Sequence, residues 1–243
     1  MSVVEVPGAF NFRDVGGLPA GQGRTRPGVL FRSGNLGHLT AAGRDRVASL
    51  GIRRIVDLRD DDERLLEPSR IDGLGIETVR LPMYAGSVAS FFADDLSLDD
   101  VYRALVDGSA SRLIEAARAV LEVHPVLVHC TVGKDRTGLS VALILAAAGV
   151  DEGAVIADYA RTEALLPAAR NDGVLRYLRR RYPGARHLED LVTRSPVDAM
   201  RAVFDDLRLR YGGPVEYLQA HGLTTAETAE LRRVLVTDRQ RGM

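Results

Sequence analysis

The chain has 243 residues, a formal net charge of −1, and 46% apolar against 27% charged residues. That length buries a full-sized core and that composition is globular, which excludes a chain that stays disordered. The near-zero charge gives no general attraction for nucleic acid or an acidic membrane, so any affinity for anions has to be local.

Residues 7–28, rich in Gly, Pro and Arg, read as an irregular lead-in. "VLFRSG" reads as a short strand, and "LTAAGRDRVASLG" as a helix begun by Thr40 and stopped by Gly51. "IRRIVDLRD" is a strand that delivers Asp57, Arg59 and Asp60 at its carboxyl end, and "IETVRLPM" is a further strand. Residues 84–100 mix Gly, Ser, Phe91, Phe92 and several aspartates without a period, and read as a loop or mobile flap. "SRLIEAARAVLEV" has the spacing of an amphipathic helix, "PVLVHC" that of a buried strand, and a helix follows from about Thr137 to Ala148. Beyond residue 151 the pattern is almost wholly helical. Strands alternating with helices, followed by a helical tail, imply an α/β sheet covered by helices. No repeat or linker divides residues 1–243, so a single domain is expected.

Two scarce residues meet in "VLVHCTVGKDRTGLSVALILAAAG", residues 126–149. Cys130 is the only cysteine and Lys134 the only lysine among 32 basic residues. A lone cysteine makes no internal disulfide, so the fold needs no oxidising compartment. The N-terminal "MSVVEVPGAFNFRDVGG" lacks a leader pattern, and no segment reaches the roughly 18 apolar residues of a membrane span. A cytoplasmic protein with no stable membrane insertion is expected; leaderless export and the oligomeric state stay open.

A strand running through a tight Gly-containing turn into a helix aims backbone N–H groups and the positive helix end at one point, where an anion is held. Thr131, Val132 and Gly133 supply the turn. Cys130 opens it and Arg136 closes it, so the guanidinium fork grips two oxygens while the sulfur faces the central atom. The same donors stabilise a thiolate, whose pKa at such positions falls from about 8.5 into the range of roughly 3.5–7.5. Gly133 admits a close approach, and Thr137 is placed to donate its hydroxyl to the sulfur. His129 is expected to position the loop and not to act as a base.

"HCTVGKDRTG" resembles the active-site loop of cysteine-dependent phosphatases, and its Lys-Asp before Arg resembles atypical bacterial tyrosine phosphatases related to dual-specificity and phosphoinositide phosphatases. "NFRDVGG" at 11–17, "RPGVLFRSG" at 26–34, "LGIRRIVDLRDDDE" at 50–63, "ADYARTE" at 157–163 and the closing "YLQAHGLTTAETAELRRVL" extend the similarity in the same order. The resemblance implies a cysteine-phosphatase-like central, mostly parallel sheet flanked by helices, with residues 164–212 forming a helical lid over the cleft. It implies metal-free and cofactor-free hydrolysis of phosphomonoesters on a phosphorylated protein, phosphotyrosine above all and also phosphoserine or phosphothreonine, through a phosphocysteine on Cys130.

Phosphoinositide hydrolysis as the main activity is the alternative; a phosphate-binding pseudophosphatase and a sulfurtransferase are the competing classes. No nucleic-acid motif is present. For the general acid the resemblance puts Asp135 first; Asp57 is second, and Asp94, Asp95, Asp99 and Asp100 stand for an upstream mobile loop. Lys134 is expected either to contact a second phosphate or to pair with a nearby carboxylate, and Arg59 either to contact substrate or to pair with Asp57. Asn11, Arg13 and Asp14 are expected to brace the loop, Arg32 and Ser33 to form the cleft floor, and Asp158, Tyr159 and Arg161 to lie on a later helix. The arginine runs at 179–181 and 208–210 read as solvated helix faces.

Overall fold

Three short strands lie side by side at the centre of the molecule, and their alternating side chains decide where everything else goes. The computed structural model describes residues 4–83 and 88–238. After β1 (Arg13–Asp14), β2 (Pro19–Ala20) and β3 (Gly23–Thr25) come β4 (Leu30–Ser33), α1 (Ala41–Ser49), β5 (Arg54–Asp57), α2 (Asp61–Leu66) and β6 (Glu77–Arg80). Then follow α3 (Val88–Ala93), α4 (Leu98–Gly108), α5 (Ala110–Glu122), β7 (Val126–His129) and α6 (Asp135–Ala147). The remaining elements are α7 (Glu152–Leu165), α8 (Ala168–Arg181), α9 (Leu188–Thr193), α10 (Val197–Tyr211), α11 (Pro214–Ala220), α12 (Thr225–Leu235) and β8 (Val236–Asp238).

The main sheet has the order β1-β4-β7-β5-β6, parallel except for β1, while β2, β3 and β8 make a small antiparallel sheet. Because successive residues of a strand face opposite sides, Leu30, Val56, Val126 and Val128 join the larger core under α4, α5 and α6. Phe31, Ile55 and Leu127 join a smaller one with Val47 of α1. Both faces are covered, as parallel strands require. The register sets Ser33, His129 and Asp57 abreast at the carboxyl ends of β4, β7 and β5. The crevice beyond those ends is where open α/β sheets place their ligands.

Thr40 caps α1 by accepting from the Gly43 N–H, and Gly51 has φ of 66° just past its end, as the sequence predicts. The stretch expected as a loop or flap differs: residues 88–93 and 98–108 are helical, while 84–87 lie outside the described residues. Ser97 and Asp100 form a capping box that starts α4, so a local hydrogen-bond pattern overrides the weak period. Of the stretch 164–212 expected as a lid, residues of α8 and α9 line the cavity and, among the described residues, none of α10 does. Helices α8 and α9 form their own small core of Leu175, Leu178, Leu188 and Val192. Met200, Val203, Phe204 and Leu207 of α10 belong instead to the main core.

One buried carboxylate ties distant parts of the chain together. Asp158 of α7 pairs with Arg13 of β1 and Arg32 of β4, both at 2.9 Å, and all three side chains are at most 1% exposed. Burial and the neighbouring Arg32 push the Arg13 guanidinium down to about 10, with Asp158 pulling it back up. Burial disfavours the Asp158 carboxylate, but Arg32 and Arg13 outweigh it and hold the group below its usual value of 3.8.

Asp158→Asn leaves two buried cations without a counter-charge, and urea unfolding should show a loss of about 3–5 kcal/mol. The sign of the pH dependence follows from the depressed folded value. The carboxylate's contribution is complete above the unfolded pKa, so the gap between wild type and variant stays constant near neutrality. It narrows only as the pH falls below 3.8 and through the folded value.

Candidate active site

The loop from Cys130 to Arg136 leaves β7 and enters α6, and its carbonyls are drawn outward. Asn11 Nδ2 donates to the Gly133 carbonyl at 2.9 Å and to that of Val132 at 3.3 Å. Arg32 also donates to Gly133 O at 2.9 Å, and the Asn35 N–H donates to Thr131 O at 3.0 Å. With the carbonyls held outside, the Gly133 N–H faces inward and donates to Cys130 Sγ at 3.2 Å.

Gly133 has φ of +72°, and a Cβ there would stand 2.4 Å from the Ser33 carbonyl oxygen. Only glycine allows this loop to lie so close to the end of β4. Asn11 itself has φ of 57°, a left-handed conformation that asparagine tolerates better than most residues. Its side-chain oxygen accepts from Arg13, which Asp158 holds. Asp14 does not reach the loop; it accepts from the N–H groups of Gly16 and Gly28 and fastens the lead-in.

Cys130, Thr131, Val132, Asp135 and Arg136 line one cavity of about 360 Å³ together with Glu63. Its walls are largely apolar: Phe91 and Phe92 of α3, Val101 of α4, Val174, Tyr177 and Leu178 of α8, and Leu191 and Val192 of α9. Arg170 of α8 is the other cation of the lining. Its guanidinium lies 5.5 Å from the centre of the Phe10 ring.

Asp135 stands at the start of α6, 23% exposed, with Oδ1 accepting from Lys134 Nζ at 2.9 Å and from the Tyr102 hydroxyl at 3.3 Å. Lys134 is wholly buried and also donates to the Arg194 carbonyl at 2.9 Å. Of its two expected placements, the ammonium takes the one beside a carboxylate. Among the described residues it is not part of the cavity wall.

Of the two placements expected for Arg59 the structure has the pair with Asp57, while Asp57 and Thr137 do not take the places expected of a proton donor and a sulfur ligand. Asp57 and Arg59 grip each other in a buried bidentate pair, 2.9 and 2.8 Å, and neither lines the cavity. Burial works against the Asp57 carboxylate, but His129 and Arg59 hold it below its ordinary value. Arg59 reaches on to Glu67 O and Ser69, bracing the segment after α2. Among the described residues Thr137 Oγ1 is buried without a hydrogen-bond partner and makes no bond to the sulfur.

Burial pushes the His129 imidazole below 6.5 despite Asp57 nearby, which favours the neutral ring. Its Nδ1 lies 3.2 Å from Cys130 O and its Nε2 3.6 Å from Asp57 Oδ2, a placement that suits positioning of the loop. Of the upstream aspartates, Asp95 binds the Arg186 side chain and the N–H groups of Arg186 and His187, and Asp100 caps α4. Among the described residues none of these aspartates, nor Asp94 or Asp99, lines this cavity.

Glu63 is the residue that the sequence reading passed over. It accepts from Arg136 Nη1 at 2.6 Å and Nη2 at 2.5 Å and also takes the Thr131 hydroxyl. Burial disfavours its charge, yet the Arg136 guanidinium outweighs this and keeps the carboxyl below its usual 4.5. The signal available was Asp60-x-x-Glu63 directly after a strand, a capping box that the structure contains. That pattern marks a helix start but does not say that the same carboxylate will also meet an arginine 73 residues away.

A tyrosine phosphatase family model matches residues 4–237. The chain belongs to the tyrosine phosphatase family. It is 29% identical to the triple specificity protein phosphatase PtpB of Mycobacterium tuberculosis, over 97% of this chain and all of that one. With a tyrosine-protein phosphatase of Nostoc commune it shares 30% identity, over 88% of this chain and 76% of the relative. The solved Siw14 catalytic core overlaps 85% of this chain and 96% of its own at 16% identity and a TM-score of 0.43, too loose a fit to inform the chemistry. The protein is therefore a phosphatase. Among the described residues no helix is long and apolar enough to cross a membrane.

Glu63→Gln preserves the capping box while removing the charge that orients the Arg136 fork. Steady-state kinetics on a small aryl phosphate should show kcat/KM reduced about 10- to 100-fold, equivalent to roughly 1.4–2.8 kcal/mol. An unchanged or higher value would mean that Glu63 only blocks the fork.

Proposed function

We propose that the protein hydrolyses aryl phosphate monoesters, phosphotyrosine in protein substrates, through a phosphocysteine on Cys130. The observation that carries this reading is the convergence of the Cys130 sulfur, the Arg136 guanidinium and the Asp135 carboxyl on one cavity whose remaining walls are mostly apolar. Loop amides and Arg136 hold the phosphoryl oxygens as charge builds on them. The Cys130 sulfur attacks phosphorus, so that an S–P bond forms while the P–O bond to the aryl oxygen breaks. Asp135 gives that oxygen its proton. Water then attacks phosphorus, Asp135 takes a proton back, and the S–P electron pair returns to sulfur as phosphate leaves.

The walls favour an aryl ester with one phosphate. An inositol ring bearing several phosphates needs several cations, whereas the lining contains Arg136, already paired with Glu63, and Arg170. Lys134 faces Asp135 and the Arg194 carbonyl, which suits a residue that orients the proton donor. Phosphoserine and phosphothreonine lack a ring to fill the apolar walls and are expected to be slower substrates.

Cys130→Ser should abolish phosphate release while preserving the fold, and undiminished turnover would reject the covalent route. Asp135→Asn should lose the basic-side limb of the pH profile on a poor leaving group yet retain activity on an activated aryl phosphate; wild-type behaviour on both would remove Asp135 from the mechanism. In a panel of phosphopeptides and phosphoinositides, Lys134→Ala should lower all activities alike. A loss confined to the phosphoinositides would restore the second-phosphate role.

A further inference from the structure

Helix α8 has two different sides. Arg170, Val174, Tyr177 and Leu178 line the catalytic cavity, and Leu175 and Leu178 are buried with α9. Arg176, Arg179 and Arg180 are exposed, and their spacing puts them on one face of the helix. Alone they would be a solvated surface, the reading that the sequence suggests. Their pairing says otherwise.

Several exposed arginines elsewhere are neutralised by neighbours, as Arg208 is by Glu152 and Asp205, Arg210 by Asp107 and Asp206, and Arg233 by Glu230. Among the described residues Arg53, Arg70 and Arg80 stand unpaired but singly; α8 is distinguished by gathering such arginines on one helix face. Among the described residues Arg176 and Arg180 have no ion pair or hydrogen bond, and Arg179 reaches Glu189 only at 3.6 Å. Helix α8 contains five arginines against one aspartate in a chain whose net charge is −1. Its uncompensated charge therefore sits on the element that forms the cavity wall.

We propose that this face of α8 binds an acidic segment of the phosphoprotein substrate, carboxylates on the chain that flanks the residue whose phosphate enters the cavity. This rests on the phosphotyrosine reading of the site and adds to it the surface that selects among peptides. From Arg170 to Arg180 the helix rises about 15 Å at roughly 1.5 Å per residue. The arginines lie on the side of α8 turned away from the cavity-lining residues, and the helix is about 10–12 Å across, so an extended peptide reaches them in roughly six or seven residues. Acidic residues within that reach of the phosphorylated one meet the arginines, and carboxylate–guanidinium pairing there steers encounter and fixes direction.

An anionic lipid surface is the less suitable partner. A helix that seats on a bilayer presents an apolar side to it, whereas Leu175 and Leu178 are turned into the protein. Tyr177, 66% exposed, is the one large apolar side chain that α8 offers outward.

The test compares R176Q/R179Q/R180Q and R176E/R179E/R180E with wild type on a small aryl phosphate, a phosphotyrosine peptide with neutral flanks, and the same peptide with acidic flanks. KM for the acidic peptide should rise about tenfold or more, further for the reversal, with kcat and the other two substrates unchanged. In the wild type, raising salt to about 0.5 M should erase the preference for the acidic peptide. Equal shifts for both peptides, or none, would overturn the proposal. So would loss of binding to phosphatidylserine vesicles with an unchanged peptide KM. Measuring peptide binding to Cys130→Ser with and without the arginine substitutions separates this surface from the chemistry: if the covalent mechanism failed, the difference in affinity would still decide the role of α8.

Discussion

The Asp158 carboxylate between Arg13 and Arg32 is the interaction on which the site depends. Two guanidiniums withdrawn from water share one counter-charge, an arrangement that leaves no member able to leave without stranding another. Through Arg13 the cluster fixes Asn11, and through Asn11 and Arg32 it holds the Gly133 carbonyl. The loop amide that meets the Cys130 sulfur is therefore aimed by a charge on a helix beyond the loop's own helix. Tyr159, beside Asp158, packs against Gly138 and edge-on to Tyr102, so the same helix also steadies the start of α6.

A second layer of control lies in how the cations around the loop are shared out. Arg136 is held by Glu63, Lys134 by Asp135 and the Arg194 carbonyl, and Arg59 by Asp57. Each pairing removes a charge from general use and converts it into a position. What stays open toward a ligand is a narrow combination: a sulfur under an amide, a guanidinium already oriented, a carboxyl oriented by Tyr102 and Lys134, and apolar walls. Among the described residues, the cavity lining thus offers two guanidiniums, Arg136 and Arg170, and the first of them is already paired with Glu63.

The covering helices connect to this scheme at their base. Ser195 and Glu163 exchange hydrogen bonds across the junction of α7 with α10, and Arg194, whose carbonyl Lys134 holds, also pairs with Glu163. Helices α8 and α9 thus rise from a junction fastened to the Cys130–Arg136 loop, while their own core of four residues is small. Elements with few buried apolar contacts are the ones most free to open locally.

Short-range features were legible in the sequence. The spacing of Cys130, Gly133 and Arg136 between a strand and a helix, the Thr40 cap, the Gly51 stop and the buried runs of β4, β5 and β7 all act within one or two turns of chain, where periodicity and backbone preference decide the outcome. Family membership also followed from motifs in order along the chain. The tertiary structure alone decided that Glu63 meets Arg136, that Lys134 turns to Asp135 and Arg194, that Asp57 and Arg59 satisfy each other, and that α8 and α9, without α10, wall the cavity. Glu63–Arg136 and Lys134–Arg194 join residues 73 and 60 positions apart that the fold brings together, whereas Asp57–Arg59 and Lys134–Asp135 are chain neighbours whose choice among partners the packing decides. A local pattern states which groups are available to pair; only the packed sheet and its helices settle which of the competing partners each buried charge finds.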